Sequence, residues 1–249
     1  MKRIFTITAA CMTAALTACN SGTSADSGVS PGSPPPPTPR TYTSPLTVSY
    51  TFDDSVSAAI PDQSGNGVEL RVNGCTLEAG KVGKAIHCLE HGNVRTALSC
   101  RDRSVADQLA AKGAMTVQFW LKYPSGGWNS YPVLSHDGSF RIYLENQRLH
   151  FSPTAPADMV LPQDLAPDTW YNVAISYDTR EARFYLNGAL IDTQSVISPI
   201  SHEARGFCAL NVGSTDSSVY EASFDNLRIH DAVLSDAEIL ARYNTDIGL

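Results

Sequence analysis

The sequence predicts an all-β domain built as a sandwich of two antiparallel sheets. Three observations predict it. About a dozen short runs alternate apolar and polar residues with period two. Turn-forming residues separate these runs, and only two segments read as helix. The span 46–249 has no break in composition and is long enough to bury one sizeable core.

In chain order, a first strand is read at 47–52. The segments 68–75 and 84–90 read as neighbouring strands joined by a Gly-rich turn, and 93–98 follows as another strand. Residues 104–112 form a short helix with a Ser cap and Asp107 three residues on. From 115 to 123, Met115, Val117, Phe119, Leu121 and Tyr123 alternate with Thr116, Gln118 and Lys122, the pattern of a strand with one buried face. Further strands are read at 132–135, 140–144 and 148–151. Residues 170–177 place Tyr171, Val173, Ile175 and Tyr177 on one face. Residues 183–187 and 189–192 make a hairpin about Asn187-Gly188, a pair suited to a type I′ turn with both central residues at positive φ. The last strands fall at 209–212 and 223–230. Ser235-Asp236-Ala237-Glu238 is a capping box leading into a helix with Ile239, Leu240 and Tyr243.

Ahead of this domain the chain changes character. Lys2 and Arg3 precede an apolar run at 4–16, too short to span a bilayer as a mature helix, and Leu16-Thr17-Ala18-Cys19 follows. This resembles a bacterial lipoprotein signal with its lipobox. The resemblance implies removal of residues 1–18, lipidation of Cys19 and attachment to a membrane surface by buried acyl CH₂ groups. Asn20 stands where an Asp would favour the inner membrane, so the resemblance implies the outer one. Residues 19–45 contain almost no large apolar side chain and carry Pro34-Pro35-Pro36-Pro37. Such a segment cannot offset its ordering entropy and reads as a tether, its proline part a semi-rigid spacer of about 3.1 Å per residue.

The chain carries −7 at pH 7; without Lys2 and Arg3, 16 basic residues face 25 acidic ones, or −9. That balance argues against nucleic acid and anionic membrane surfaces as partners. With Cys11 in the signal and Cys19 lipidated, Cys75, Cys88, Cys100 and Cys208 remain, an even number suited to an oxidising compartment. Of three possible connectivities the adjacent strands favour Cys75–Cys88, which leaves Cys100–Cys208. No pair has the C-x₂₋₄-C spacing of a zinc site.

Five motifs in order carry a family resemblance: Gly80-Lys-Val-Gly-Lys-Ala-Ile86, Phe119-Trp120-Leu121-Lys122, the run from Trp170 to Asp178, Phe184-Tyr-Leu-Asn-Gly188, and Asp225-Asn-Leu-Arg-Ile229 with Leu234-Ser-Asp-Ala-Glu-Ile239. They resemble laminin-G-like domains of the concanavalin A-like lectin/glucanase superfamily. The resemblance spans residues 46–243 and implies a two-sheet antiparallel jelly roll with short rim helices. The motifs themselves are strand, turn and cap chemistry. Trp120 and Trp170 read as core fillers.

Catalytic patterns were sought in the same residues. The superfamily's glucanases carry E-x-D-x-x-E on one strand, which aims alternate carboxylates from one sheet face. This chain has no such run, and no G-x-S-x-G or H-E-x-x-H. Its six histidines are scattered and read as surface or strand residues. Relatives in the family bind Ca²⁺ through loop oxygens, so the resemblance implies a candidate calcium site drawn from Asp53, Asp54, Asp62 and Asp225. The residues leave another reading open: Asp62, Ser64 and Asn66 make a turn, and Asp53 and Asp54 are solvated. For a sugar, an exposed aromatic beside polar groups is needed. Trp128, Asn129 and Tyr131 in the Gly-rich stretch 126–131, and Tyr220 in the stretch 217–220, are the candidates. Trp128 folded back over a sheet edge is the alternative.

Together these features describe a lipid-anchored module of the bacterial cell envelope, periplasmic or surface-exposed, that recognises a glycan or glycoprotein without catalysis. Two other readings stay open: a divergent polysaccharide hydrolase or lyase, and a structural subunit that docks on another envelope protein.

Overall fold

The structure is a computed structural model. It describes residues 46–54, 58–90, 97–100, 104–125, 130–136, 140–153, 157–195, 197–200, 210–211 and 220–249. The described strands are β1 (Leu46–Tyr50), β2 (Ala59–Ile60), β3 (Leu70–Asn73), β4 (Thr76–Ala79), β5 (Lys84–Glu90) and β6 (Ala97–Ser99). After helix α1 (Ser104–Lys112) come β7 (Met115–Lys122), β8 (Ser130–His136), β9 (Phe140–Glu145), β10 (Arg148–Ser152) and β11 (Met159–Asp164). Then follow β12 (Tyr171–Tyr177), β13 (Glu181–Leu186), β14 (Ala189–Ser195), β15 (Leu210–Asn211), β16 (Tyr220–His230) and helix α2 (Asp236–Asp246). The expected signal peptide at 1–18, the expected tether at 19–45 and Cys19 lie outside the described residues.

Two antiparallel sheets make the sandwich. An eight-stranded sheet runs β14-β13-β12-β7-β16-β5-β4, with β1 also paired to β16; a five-stranded sheet runs β11-β10-β9-β8-β15. Their facing side chains form the core. Val117, Phe119 and Leu121 of β7 and Val173, Ile175 and Tyr177 of β12 meet Ile142, Leu144, Leu149 and Phe151 of the smaller sheet. Phe151 meets the Tyr177 ring edge-on at 5.4 Å. The all-β reading is therefore correct, and both expected helices form.

Three differences from the sequence reading have physical causes. First, 68–75 is not the neighbour of β5. Its β3 part pairs with β2 and β6 in a separate three-stranded sheet. The neighbour is β4, which begins after Gly74 turns the chain at φ 73°. Cys75 leads into β4, and its bridge to Cys88 of β5 is formed, with S–S 2.03 Å. Cys100 is buried, and Cys208 lies outside the described residues. Second, β11 carries Pro162 and little alternation, so its pattern is faint; it is an edge strand, where a missing N–H is tolerated.

Third, β7 is buried on both faces. The polar residues that read as solvent-facing, Thr116 and Gln118, are fully buried. The chain after β16 and helix α2 cover the outer face of the large sheet. The Thr116 hydroxyl donates to Ala232 O at 2.7 Å and accepts from Leu234 N at 2.9 Å, while Gln118 Nε2 donates to Asn172 Oδ1 at 2.9 Å. These polar residues pin the C-terminal segment. Trp120 is buried there too, outside the inter-sheet core, with its ring 5.7 Å from Tyr243 of α2.

Helix α2 starts at Ser235, whose Oγ accepts from Glu238 N while the Glu238 carboxylate accepts from Ser235 N at 2.8 Å. Ser235→Ala removes this reciprocal cap and should cost about 1 kcal/mol, or roughly 2–4 °C in a thermal melt. An unchanged melt would show that packing on the sheet, not the cap, holds the helix start.

Candidate functional site

Two carboxylates converge on the turn between β4 and β5. Phe52 adopts a left-handed φ of 66°, and the next residue, Asp53, accepts from Lys84 N at Oδ1, at 2.9 Å. From the other side comes Asp225 of β16. Its strand bulges against β7 between Asp225 and Arg228, with Asn226 at φ 47°. Bulges of this kind re-aim a side chain, and Asp225 Oδ2 here accepts from Val82 N at 2.8 Å. Two glycines admit the pair. A Cβ on Gly80 would lie 2.7 Å from Asp225 Oδ2, and one on Gly83, at φ 61°, would land on Asp53 Oδ1.

The electrostatics of this pair are unbalanced. Asp225 is fully buried, and its Oδ1 has no hydrogen-bond partner. Burial and the nearby Asp53 carboxylate push the Asp225 carboxyl up to about 7. The Val82 and Asn226 backbone N–H groups pull the other way. A buried, unpartnered carboxylate oxygen beside a second carboxylate costs free energy unless a proton or a cation joins it. The donors are all oxygens, which suits a hard cation such as Ca²⁺. Among the described residues no three His, Cys, Asp or Glu side chains converge, so turn carbonyls and water would complete the shell.

The other two aspartates of the predicted calcium set do not join them. Asp62 is a turn brace. Its Oδ1 accepts from Ser49 N and Ser64 N, both at 2.9 Å, and its Oδ2 from the Ser64 hydroxyl at 2.6 Å and Val68 N at 3.2 Å. Its oxygens are occupied, so the turn reading holds there. Asp54 is exposed. Gly83→Ala should cost about 1–2 kcal/mol, from an unfavourable φ and the displaced Asp53, seen as a lower melting temperature. A neutral substitution would mean that the Asp53 contact is dispensable.

Of the tentative sugar-binding residues, Trp128 and Asn129 lie outside the described residues. Tyr131 falls in β8 opposite Leu144, and Tyr220 starts β16 opposite Glu90. Two polar surfaces that were not singled out from sequence stand on the outer faces of the sheets. On the large sheet, β7, β16 and β5 align Lys122, Ser223 and His87 across adjacent strands. Lys122 Nζ lies 2.9 Å from Glu78 Oε1 and 5.0 Å from the Trp170 ring centroid. Trp170 is therefore half-buried on the outer face and not in the core. The alternation of 171–177 already placed it opposite Tyr171. Ser223 Oγ donates to Glu78 Oε1 at 2.6 Å and lies 3.1 Å from His87 Nδ1, whose ring also reaches Glu221 at 3.5 Å. Burial raises the Glu78 carboxyl, but the Ser223 hydroxyl and Lys122 outweigh it and hold the group below its usual range. The grouping places a serine beside a histidine and a glutamate. Ser223 is nonetheless buried with its proton committed to Glu78, which disqualifies it as a nucleophile in this arrangement.

The outer face of the five-stranded sheet is more open. From β9 the side chains of Arg141, Tyr143 and Glu145 point outward, in a burial pattern that alternates with buried Phe140, Ile142 and Leu144. His150 of β10 sits opposite Tyr143 and stacks on it, with ring centroids 4.6 Å apart. The Tyr143 hydroxyl donates to Asp158 Oδ2 at 2.8 Å, and His150 Nδ1 lies 3.0 Å from the same oxygen. Arg141 lies over the Tyr143 ring at 4.8 Å. Burial, and then Asp158, push the Tyr143 phenol up to about 12, so it stays protonated.

Comparison with known proteins agrees with this architecture. Residues 101–240 match the family model described as concanavalin A-like lectin/glucanases superfamily. A search of curated proteins finds no significant match. Among solved structures, the chain is similar to the binding domain of botulinum neurotoxin DC in complex with rat synaptotagmin II, at 17% identity and a TM-score of 0.62, over 81% of this chain and 52% of that one. The same toxin's binding domain in complex with SialylT gives 16% identity, a TM-score of 0.64 and coverage of 81% and 52%. The binding domain of Paraclostridial Mosquitocidal Protein 1 gives 17%, 0.63, and coverage of 80% and 52%. The chain thus spans about half the length of these chains, and at such identity the likeness is one of fold. On the family match and the two-sheet architecture, the chain belongs to the concanavalin A-like lectin/glucanases superfamily.

Proposed function

We propose that this protein is a lipid-anchored binding module of the cell envelope, one that recognises a glycan or glycoprotein without catalysis. The observation that carries the reading is the open outer face of the five-stranded sheet. There two aromatic rings, a guanidinium and a carboxylate on β9 and β10 lie beside the Asp158 carboxylate from the loop before β11. Sugars need such a mixture of ring faces and paired hydrogen-bonding groups. The similar structures support it: all three are binding domains, one in complex with a protein and one with SialylT. The Asp53–Asp225 pair would hold a Ca²⁺ ion that ties β1, the β4–β5 turn and β16, a structural role away from that face.

The anchor rests on the lipobox before Cys19 and on the tether of 19–45. The Cys75–Cys88 bridge suits an oxidising compartment outside the cytoplasm. Outer-membrane attachment, with the domain held off the surface by the tether, follows from Asn20 after the lipidated cysteine.

A broad glycan array, read with Ca²⁺ and with chelator, tests the reading. Reproducible binding to one glycan class is expected. Absence of binding in both conditions, with no glycoprotein retained, would overturn it.

A further inference from the structure

The outer face of the five-stranded sheet also carries information on what kind of sugar it takes, an inference that rests on the glycan-binding reading. Asp158 Oδ2 receives the Tyr143 hydroxyl and faces His150 Nδ1 at 3.0 Å. A carboxylate only accepts, so Nδ1 carries the proton. In the neutral ring Nε2 is then a lone-pair acceptor with its direction set by Asp158. The imidazole cannot swing away, because it is nine-tenths buried and stacked on Tyr143. Among the described residues no donor reaches Nε2. Its neighbour is another acceptor, Glu145 Oε2, at 3.9 Å. Across Tyr143 stands the exposed Arg141, which supplies donors and whose described partner is that ring alone.

Two acceptors held 3.9 Å apart complement a pair of adjacent hydroxyls. Each hydroxyl donates once, one to His150 Nε2 and one to the Glu145 carboxylate. An anionic sugar fits badly. Its carboxylate would meet the Glu145 charge and the Nε2 lone pair, and Asp158 adds a second negative charge. We infer that this face is a carbohydrate site for a neutral glycan, read through a vicinal diol by His150 Nε2 and Glu145.

The test is titration calorimetry of the full-length chain in detergent. The probes are neutral hexasaccharides of β-1,4-glucose, β-1,3-glucose, β-1,4-mannose and β-1,4-xylose, and an acidic hexasaccharide of galacturonate. One neutral probe is expected to bind. His150→Ala and Glu145→Gln should each weaken it roughly three- to tenfold. Methylation of the paired hydroxyls should abolish binding, because it removes both donors. Glu145→Gln changes an exposed side chain and keeps the test decisive if His150→Ala fails to fold. Neutral-probe binding unchanged in both variants would overturn this site while leaving glycan recognition standing. Preference for the galacturonate probe would overturn the assigned chemistry. Binding of no probe by the wild type, in this titration and on the array alike, would remove the site and the glycan reading together.

Discussion

Asp246→Ala should lower the melting temperature by roughly 10 °C. Asp246 closes the last turn of α2 and is almost fully buried. Its carboxylate receives Arg228 on both oxygens, at 2.7 and 3.0 Å, and the Trp120 indole N–H at 2.9 Å. Alanine leaves a largely buried guanidinium and a buried indole N–H without acceptors. Removing one partner of such a pair costs about 3–5 kcal/mol, and for a domain of this size each kcal/mol moves the melt by about 2–4 °C. The loss comes mainly from the stranded Arg228 charge. Asp246→Ala combined with Arg228→Met should therefore recover a large part of it, and thermal unfolding of both variants checks this. A drop under about 1 kcal/mol for the single change would show that the pair behaves like an exposed one.

The second large effect is the linkage of stability to pH and cation at Asp225. With its carboxyl pushed up to about 7 in the folded chain, against about 3.9 when unfolded, the folded state holds a proton that the unfolded state has released. The cation-free protein should thus lose stability as pH rises from about 4 to about 7, by on the order of 4 kcal/mol. This is the reverse of an ion-paired carboxylate. The proposed calcium ion would replace the proton. At pH 7.5 a concentration a hundredfold above its dissociation constant should restore about 3 kcal/mol, a rise of roughly 5–10 °C. Asp225→Asn keeps an acceptor for Val82 N, and should flatten the pH slope and remove the calcium response together. Melts at pH 5 and 7.5, in chelator and in Ca²⁺, read all of this. An identical melt in chelator and in Ca²⁺ would dismiss the cation, and a flat slope would dismiss the buried proton. The window lies above the range in which Glu78, held low by Ser223 and Lys122, surrenders its own stabilisation.

The polar outer faces of the sheets were the least legible part. Arg141, Tyr143 and His150 sit in ordinary alternating strands, and nothing local marks them. Their meaning arises when Asp158, from the loop before β11, reaches back to fix Tyr143 and His150. The stronger local signal is a Gly-rich aromatic loop, because loops more often carry function. The carboxylate pair was half legible. Asp53 and Asp225 were named, but Asp62 and Asp54 with them, since residue type alone cannot tell a ligand from the brace of a turn.

What the sequence by itself determined was local. Period-two runs, the Asn187-Gly188 turn and the Ser235–Glu238 box specify strands, a hairpin and a helix start, because each depends on a few neighbouring residues. The resemblance to a lipobox before Cys19 and the proline-rich composition of 19–45 are local in the same way. The tertiary structure alone decided which strands pair, that β3 leaves the main sheets, and that α2 covers Trp120 and Gln118. Asp246 shows the reason. An acidic residue in the last turn of a helix opposes the helix dipole and reads locally as a misfit. Arg228, 18 residues away, and Trp120, 126 residues away, turn it into the anchor of that helix, and no local pattern records either contact.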